Sequence, residues 1–149
     1  MTHVRAAALL ALLAVLLVVP ATASARSPEI TMLEKVNAFR VKHGLPKVHL
    51  SRSLARSARA WSRHMMHTGY FGHGSSIHAS HRFRTLGEII EIHRGRRPRP
   101  SLAFREWLNS PPHRSVILMR QFRFAGAGYA TGRFHGHRST TWTMHFGRH

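Results

Sequence analysis

Apolar residues recur along this chain in three distinct rhythms. The first segment has no period: residues 6–19 are an unbroken run of Ala, Leu and Val, 14 residues long. That is short of the about 20 residues a membrane-spanning helix needs. One Arg precedes the run, Pro20 ends it, and Ala23-Ser24-Ala25 follows as a small-x-small cleavage site. The pattern predicts a cleavable secretory signal peptide over 1–25 and a soluble exported domain over 26–149.

Helical spacing comes next. Ser27-Pro28-Glu29 is a helix start, with a hydroxyl cap, Pro in the first turn and an acid at the positive end. Ile30, Leu33, Val36, Phe39 and Val41 supply the apolar face, and Gly44 with Pro46 stops it. A second helix is expected over 51–67, with Leu54, Ala58, Trp61 and Met65 inward and Arg52, Arg56, Arg59 and Arg63 on solvated faces. Residues 71–84 lack a period and read as a long irregular loop. The apolar stretch 86–92, with two Glu in it, fits a strand or a helical turn. Residues 93–100 are basic and Pro-broken. Ser101 is placed to cap a helix through Asn109, and Ser110-Pro111-Pro112 to start a short one over 113–120.

The last rhythm is alternation. Residues 122–130 and 140–146 alternate as strands do, the second with Thr141, Thr143 and His145 against Trp142, Met144 and Phe146. With 131–139 as the turn, an antiparallel hairpin is the simplest connection. Helices first and a hairpin last predict an α+β fold.

Composition narrows the chemistry. The 149 residues carry 23 Lys+Arg against 5 Asp+Glu, a formal charge of +18, with 14 His and no Cys. All five acids are Glu, at 29, 34, 88, 91 and 106. Disulfides, Cys-ligated metals and thiol catalysis are excluded, and so is any relay that needs Asp. A packed core is expected from the 43% hydrophobic content.

Seven ordered pieces then resemble the CAP superfamily, the cysteine-rich secretory, antigen 5 and pathogenesis-related proteins. Asn37-Ala38-Phe39-Arg40 is similar to the family's Asn-x-x-Arg, with Gly44-Leu45-Pro46 after it. The helix 54–66 leads to Gly69-Tyr70-Phe71-Gly72-His73, similar to the bacterial G-Y-F-x-H, and Gly87-Glu88-Ile89-Ile90 stands where the family has G-E-N-I. Trp107-Leu108-Asn109-Ser110-Pro111-Pro112-His113-Arg114 resembles W-x-N-S-P-x-H-R. Gly126-Ala127-Gly128-Tyr129 and residues 142–147 match the closing hairpin. The resemblance implies a three-layer α-β-α sandwich with a small antiparallel sheet, a secreted protein, and a cleft holding His73, Glu88 and His113. Ser110 stands where many relatives have a second cleft acid, and Ile89 replaces the family's Asn.

By spacing alone, His73, Glu88 and His113 match no local ligand motif such as H-E-x-x-H. Given the resemblance, His73 and His113 are candidate ligands for Zn²⁺ or another divalent ion, with an open position for water. If Ser110 caps the short helix, His113 lies in its first turn, where the positive helix end disfavours protonation. Ser110 reads as that cap and not as a nucleophile, since no G-x-S-x-G elbow is present. The expected function is binding through the cleft of a small molecule, lipid or envelope polymer by a monomer. Two alternatives stand beside it: a metal-assisted hydrolase with Glu88 as general base, and a non-catalytic adhesin for anionic envelope polymers or lipids. Arg94, Arg96, Arg97 and Arg99 could grip such a polymer. Pro interruptions and the lack of interleaved aromatics argue against sequence-specific nucleic-acid binding. His135-Gly136-His137 is either a second metal clip or exposed polar filler at a turn.

Overall fold

The Ser27 hydroxyl accepts from the Ile30 amide and starts α1, Pro28–Lys42. This and all that follows comes from a computed structural model describing residues 26–149; the segment 1–25, expected to be a signal peptide, lies outside the described residues. After α1 come β1 (His49–Leu50), α2 (Arg52–Thr68), β2 (Thr85–Arg94), α3 (Pro100–Asn109), α4 (Pro111–Ile117), β3 (Phe124–Phe134) and β4 (His137–Arg148). The stretch left open between strand and turn is thus a ten-residue strand.

The four strands lie in the order β1-β3-β4-β2. β3–β4 and β4–β2 are antiparallel, while the short β1 pairs with β3 in parallel, so the sheet is mixed at one edge. The hairpin is tighter than the expected turn over 131–139. Phe134 already pairs with His137, leaving His135 and Gly136 as a two-residue turn, both at positive φ. That is the geometry of a type I′ connection, whose twist matches that of the strands it joins.

One face of the sheet carries α1, α3 and α4. Met32, Leu33 and Val36, Ala103 and Trp107, and Ile117 pack there against Ile89, Trp142, Met144 and Phe146. The other face carries α2, where Ser62 bonds the Gly128 carbonyl and the Thr143 hydroxyl, and Thr141 bonds the Ser62 carbonyl. This is the expected α-β-α sandwich. β4 is covered on both sides, so its alternation divides an apolar layer from a hydroxyl-bonded one, and every residue from Ser139 to Gly147 is buried.

Four local expectations change. Val41 is 51% exposed and Arg40 takes the buried position on α1 instead. The Arg40 guanidinium donates to the carbonyls of Pro46, Ile117, Met119 and Phe122. Its charge thereby meets the negative end of α4 and the turn after it. The third helix starts two residues early, at Pro100, with Arg99 and not Ser101 at the cap position and no side-chain cap. The fourth spans Pro111–Ile117 and not 113–120; Ser110 sits at its cap position, but its hydroxyl makes no capping bond. Asn37 pairs both ways with Val48, N–H to carbonyl and carbonyl to N–H, and so fixes the entry to β1.

Candidate functional site

Glu88 lies on β2 directly opposite His145 of β4 in the antiparallel register, so both side chains leave the sheet on one face. The His145 Nε2–H donates to Glu88 Oε2 at 2.8 Å. The other oxygen, Oε1, accepts from His73 Nδ1 at 2.8 Å and from the Gly74 amide at 3.3 Å. Glu88 is therefore saturated, its side chain 9% exposed, while His73 is 58% exposed near the start of the loop that follows α2. Burial pushes the Glu88 carboxyl up, but the bonds from His145 and His73, the nearby His145 charge and the Gly74 amide together hold it below the ordinary 4.5.

His113 enters from the first turn of α4, half-buried, with its ring centre 6.3 Å from that of His73 and the planes at 63°. Burial first, and the facing His73 second, lower its pKa below 6.5. The direction is the one expected from the sequence; desolvation and the neighbouring imidazole are its causes, and His113 does stand in the first turn of α4. At neutral pH His113 is thus an uncharged ring with one nitrogen lone pair to offer.

The structure joins His73 to Glu88 and brings His113 opposite His73. Ser110 stands at the helix start three residues before His113 and takes no part in these hydrogen bonds. The residue that sequence reasoning missed is His145. Its place on the polar face of an alternating strand was visible, but its pairing with Glu88 depends on the register between two strands 57 residues apart along the chain. Among the described residues, no three His, Cys, Asp or Glu are grouped so as to hold a metal ion. A metal would therefore rest on two protein ligands, His73 and His113. For that the donor set fits. Glu88 holds the Nδ1 proton of His73, which leaves Nε2 as the free lone pair, the arrangement that orients a ligating imidazole.

The other His candidates are occupied singly. His135 bonds the Gly69 carbonyl at 2.8 Å and stacks on Phe134, while His137 meets Arg94 at 3.0 Å. These rings serve different partners, so His135-Gly136-His137 does not form a clip and is more than exposed filler. The strand β2 runs on into the stretch 93–100 expected as loop, and at its end His93 Nδ1 meets Glu91 at 3.0 Å while Nε2 meets the Arg97 carbonyl at 3.2 Å. Two acceptors call for both N–H groups, and although burial opposes it, Glu91 and the Arg97 carbonyl raise the His93 pKa above 6.5.

Comparison with known proteins places these elements. A family model described as the cysteine-rich secretory protein family, CAP, matches residues 33–146. The Bacillus subtilis (strain 168) protein YkwD is 31% identical over 135 residues, which is 85% of this chain and 49% of YkwD. The membrane protein YlbC of the same organism is 31% identical over 106 residues, 65% of this chain and 30% of YlbC. This chain thus spans at most about half the length of these relatives. Among solved structures, an extracellular protein containing an SCP domain from Bacillus anthracis superposes with a TM-score of 0.63 at 25% identity, covering 82% of this chain and 40% of that one. An outer surface protein of Borrelia burgdorferi shares the fold with a TM-score of 0.63 at 14% identity, covering 80% and 90%. No helix among the described residues is long and apolar enough to cross a membrane.

Proposed function

The chain belongs to the cysteine-rich secretory protein (CAP) family, and from that premise we propose that it is an exported binding protein whose cleft takes a divalent ion, Zn²⁺ above all, on His73 and His113. One observation carries this reading: Glu88 fixes the His73 ring by its Nδ1 proton, with His113 facing it at a ring-centre distance of 6.3 Å. Such an ion would supply an electrophilic point for a carbonyl, carboxylate or phosphate oxygen of a ligand. His73 and His113 bind it, and Glu88 with His145 behind it sets the tautomer and orientation of His73.

Binding is favoured over hydrolysis by the state of Glu88. A general base needs a free oxygen within reach of a water and a pKa near the working pH. Here both oxygens are taken and the carboxyl is acidified. Export is supported by the unperiodic apolar leader in the sequence and by relatives whose descriptions are extracellular or surface proteins.

Calorimetric titration with zinc at neutral pH, on the wild type and on His73→Ala/His113→Ala, tests the reading. One site is expected in the wild type and none in the double variant. Equal binding by both would place the zinc on other histidines and end the proposal.

A further inference from the structure

Behind His145 lies a second space. Between α2 and the loop after it the structure holds a cavity of about 490 Å³, on a different set of residues from the cleft. Its walls include Arg56, Ala60, Trp61 and His64 of α2, His78 of the loop, and His145 of β4. The volume is that of a site for a small organic ligand, in the range of about 300–1,000 Å³.

Three features say what would enter. The lining carries one guanidinium and three imidazoles and no carboxylate among the described residues. A flat wall is ready-made: Trp61 stacks on His64 with ring centres 4.7 Å apart and planes at 18°, and the indole N–H is tied to the Gly72 carbonyl at 3.1 Å. Thirdly, His145 is 1% exposed and has a nitrogen without a partner; Nε2 is spent on Glu88, while buried Nδ1 makes no hydrogen bond. That nitrogen is closed to solvent, so His145 gives the cavity a ring wall at its inner end and no free hydrogen-bonding nitrogen, which leaves Arg56 as the fixed charge of the site.

We propose that this cavity is a binding site for a small planar organic anion, an aromatic carboxylate or sulfonate, whose ring lies against the Trp61–His64 wall and whose charge is taken by Arg56, with His78 beside it as a hydrogen-bond donor. The site is independent of metal in the cleft. It touches the cleft only through Glu88, which bonds His145 on one side and His73 on the other.

Naphthoate and its neutral analogue naphthylmethanol serve as probes, titrated calorimetrically into the whole chain. The wild type should bind naphthoate at least tenfold more tightly than the alcohol. Arg56→Ala/His78→Ala, both on exposed side chains, should weaken naphthoate about tenfold and leave the alcohol unchanged. Ala60→Trp, at an exposed helix position, should fill the space and abolish binding of both. His73→Ala/His113→Ala should bind naphthoate as the wild type does, which separates this site from the cleft. Undiminished binding in Ala60→Trp, equal affinity for the two probes, or no naphthoate binding in the wild type would each overturn the proposal. Matching circular dichroism and thermal melting of the variants establishes that they are folded.

Discussion

Glu88 is the residue on which the site turns, because one carboxylate serves two imidazoles and a backbone amide. Its effect on stability has a definite sign. A carboxyl held below its ordinary value stabilises the fold fully above that value, and the stabilisation is lost as pH falls through the lower folded value. Glu88→Gln should therefore cost about 1–3 kcal/mol near pH 6, the price of unpaired buried partners. The gap to the wild type should close only as pH falls from 4.5 through the lower folded value, where the wild-type carboxyl too becomes protonated. Urea unfolding at a series of pH values reads this directly, and parallel curves would show that the carboxylate charge contributes nothing. At this scale the sequence is legible where a motif surrounds the residue: motifs single out His73, Glu88 and His113, and the fold brings these three side chains together. It was silent on His145, which no motif marks, and it misplaced Val41. Helical spacing admits Arg40 to the inner face as readily as Val41 to the outer, and only the carbonyls waiting at the end of α4 decide it.

At the level of elements, α2 on β3 is the contact most tightly specified. A Cβ at Gly126 would run into the backbone of Leu54 and Ala55, and one at Gly128 into that of Ala58 and Arg59. Bare glycine edges let the helix ride on the strand, and this sets the distance at which Ser62 can bond Gly128 and Thr143. Gly126→Ala should accordingly destabilise by about 3 kcal/mol, the upper end of overpacking costs, because backbone and not a flexible side chain is in the way. Denaturant titration checks it, and a loss under about 0.5 kcal/mol, the level of an indifferent surface change, would show that α2 can lift. Most elements were readable from period and punctuation, as Ser51 and Gly69 around α2 illustrate: the one accepts from the Leu54 amide, the other caps in the left-handed region. The strand 85–94 was not, since it is an edge strand whose one sheet partner, β4, lies far along the chain and of which only Ile89, Ile90 and Glu91 are buried. Nor was the parallel β1, too short at two residues to show any alternation.

For the whole molecule, the surplus charge of +18 is a surface property. Each of the five Glu is already engaged by a base: Arg59 on Glu29, Arg26 on Glu34, Arg105 near Glu106, and histidines on Glu88 and Glu91. Among the described residues nearly all other Lys and Arg face outward without an acid, the buried Arg40 apart. The protein should be retained by an immobilised anionic polymer such as heparin and released by salt, since exposed charges are screened over about 10 Å at 0.1 M. His73→Ala/His113→Ala should elute with the wild type; earlier elution would tie the polymer to the cleft. The cleft itself makes a narrower claim, that Glu88 keeps the proton on His73 Nδ1 while His73 Nε2 and His113 receive the ion. Nitrogen NMR of the imidazole rings during zinc addition tests it most directly. The account predicts that His73 Nε2 and one His113 nitrogen shift together at one equivalent while His73 Nδ1 keeps its proton. Rings at 73 and 113 that stay unmoved while other histidines respond would contradict it.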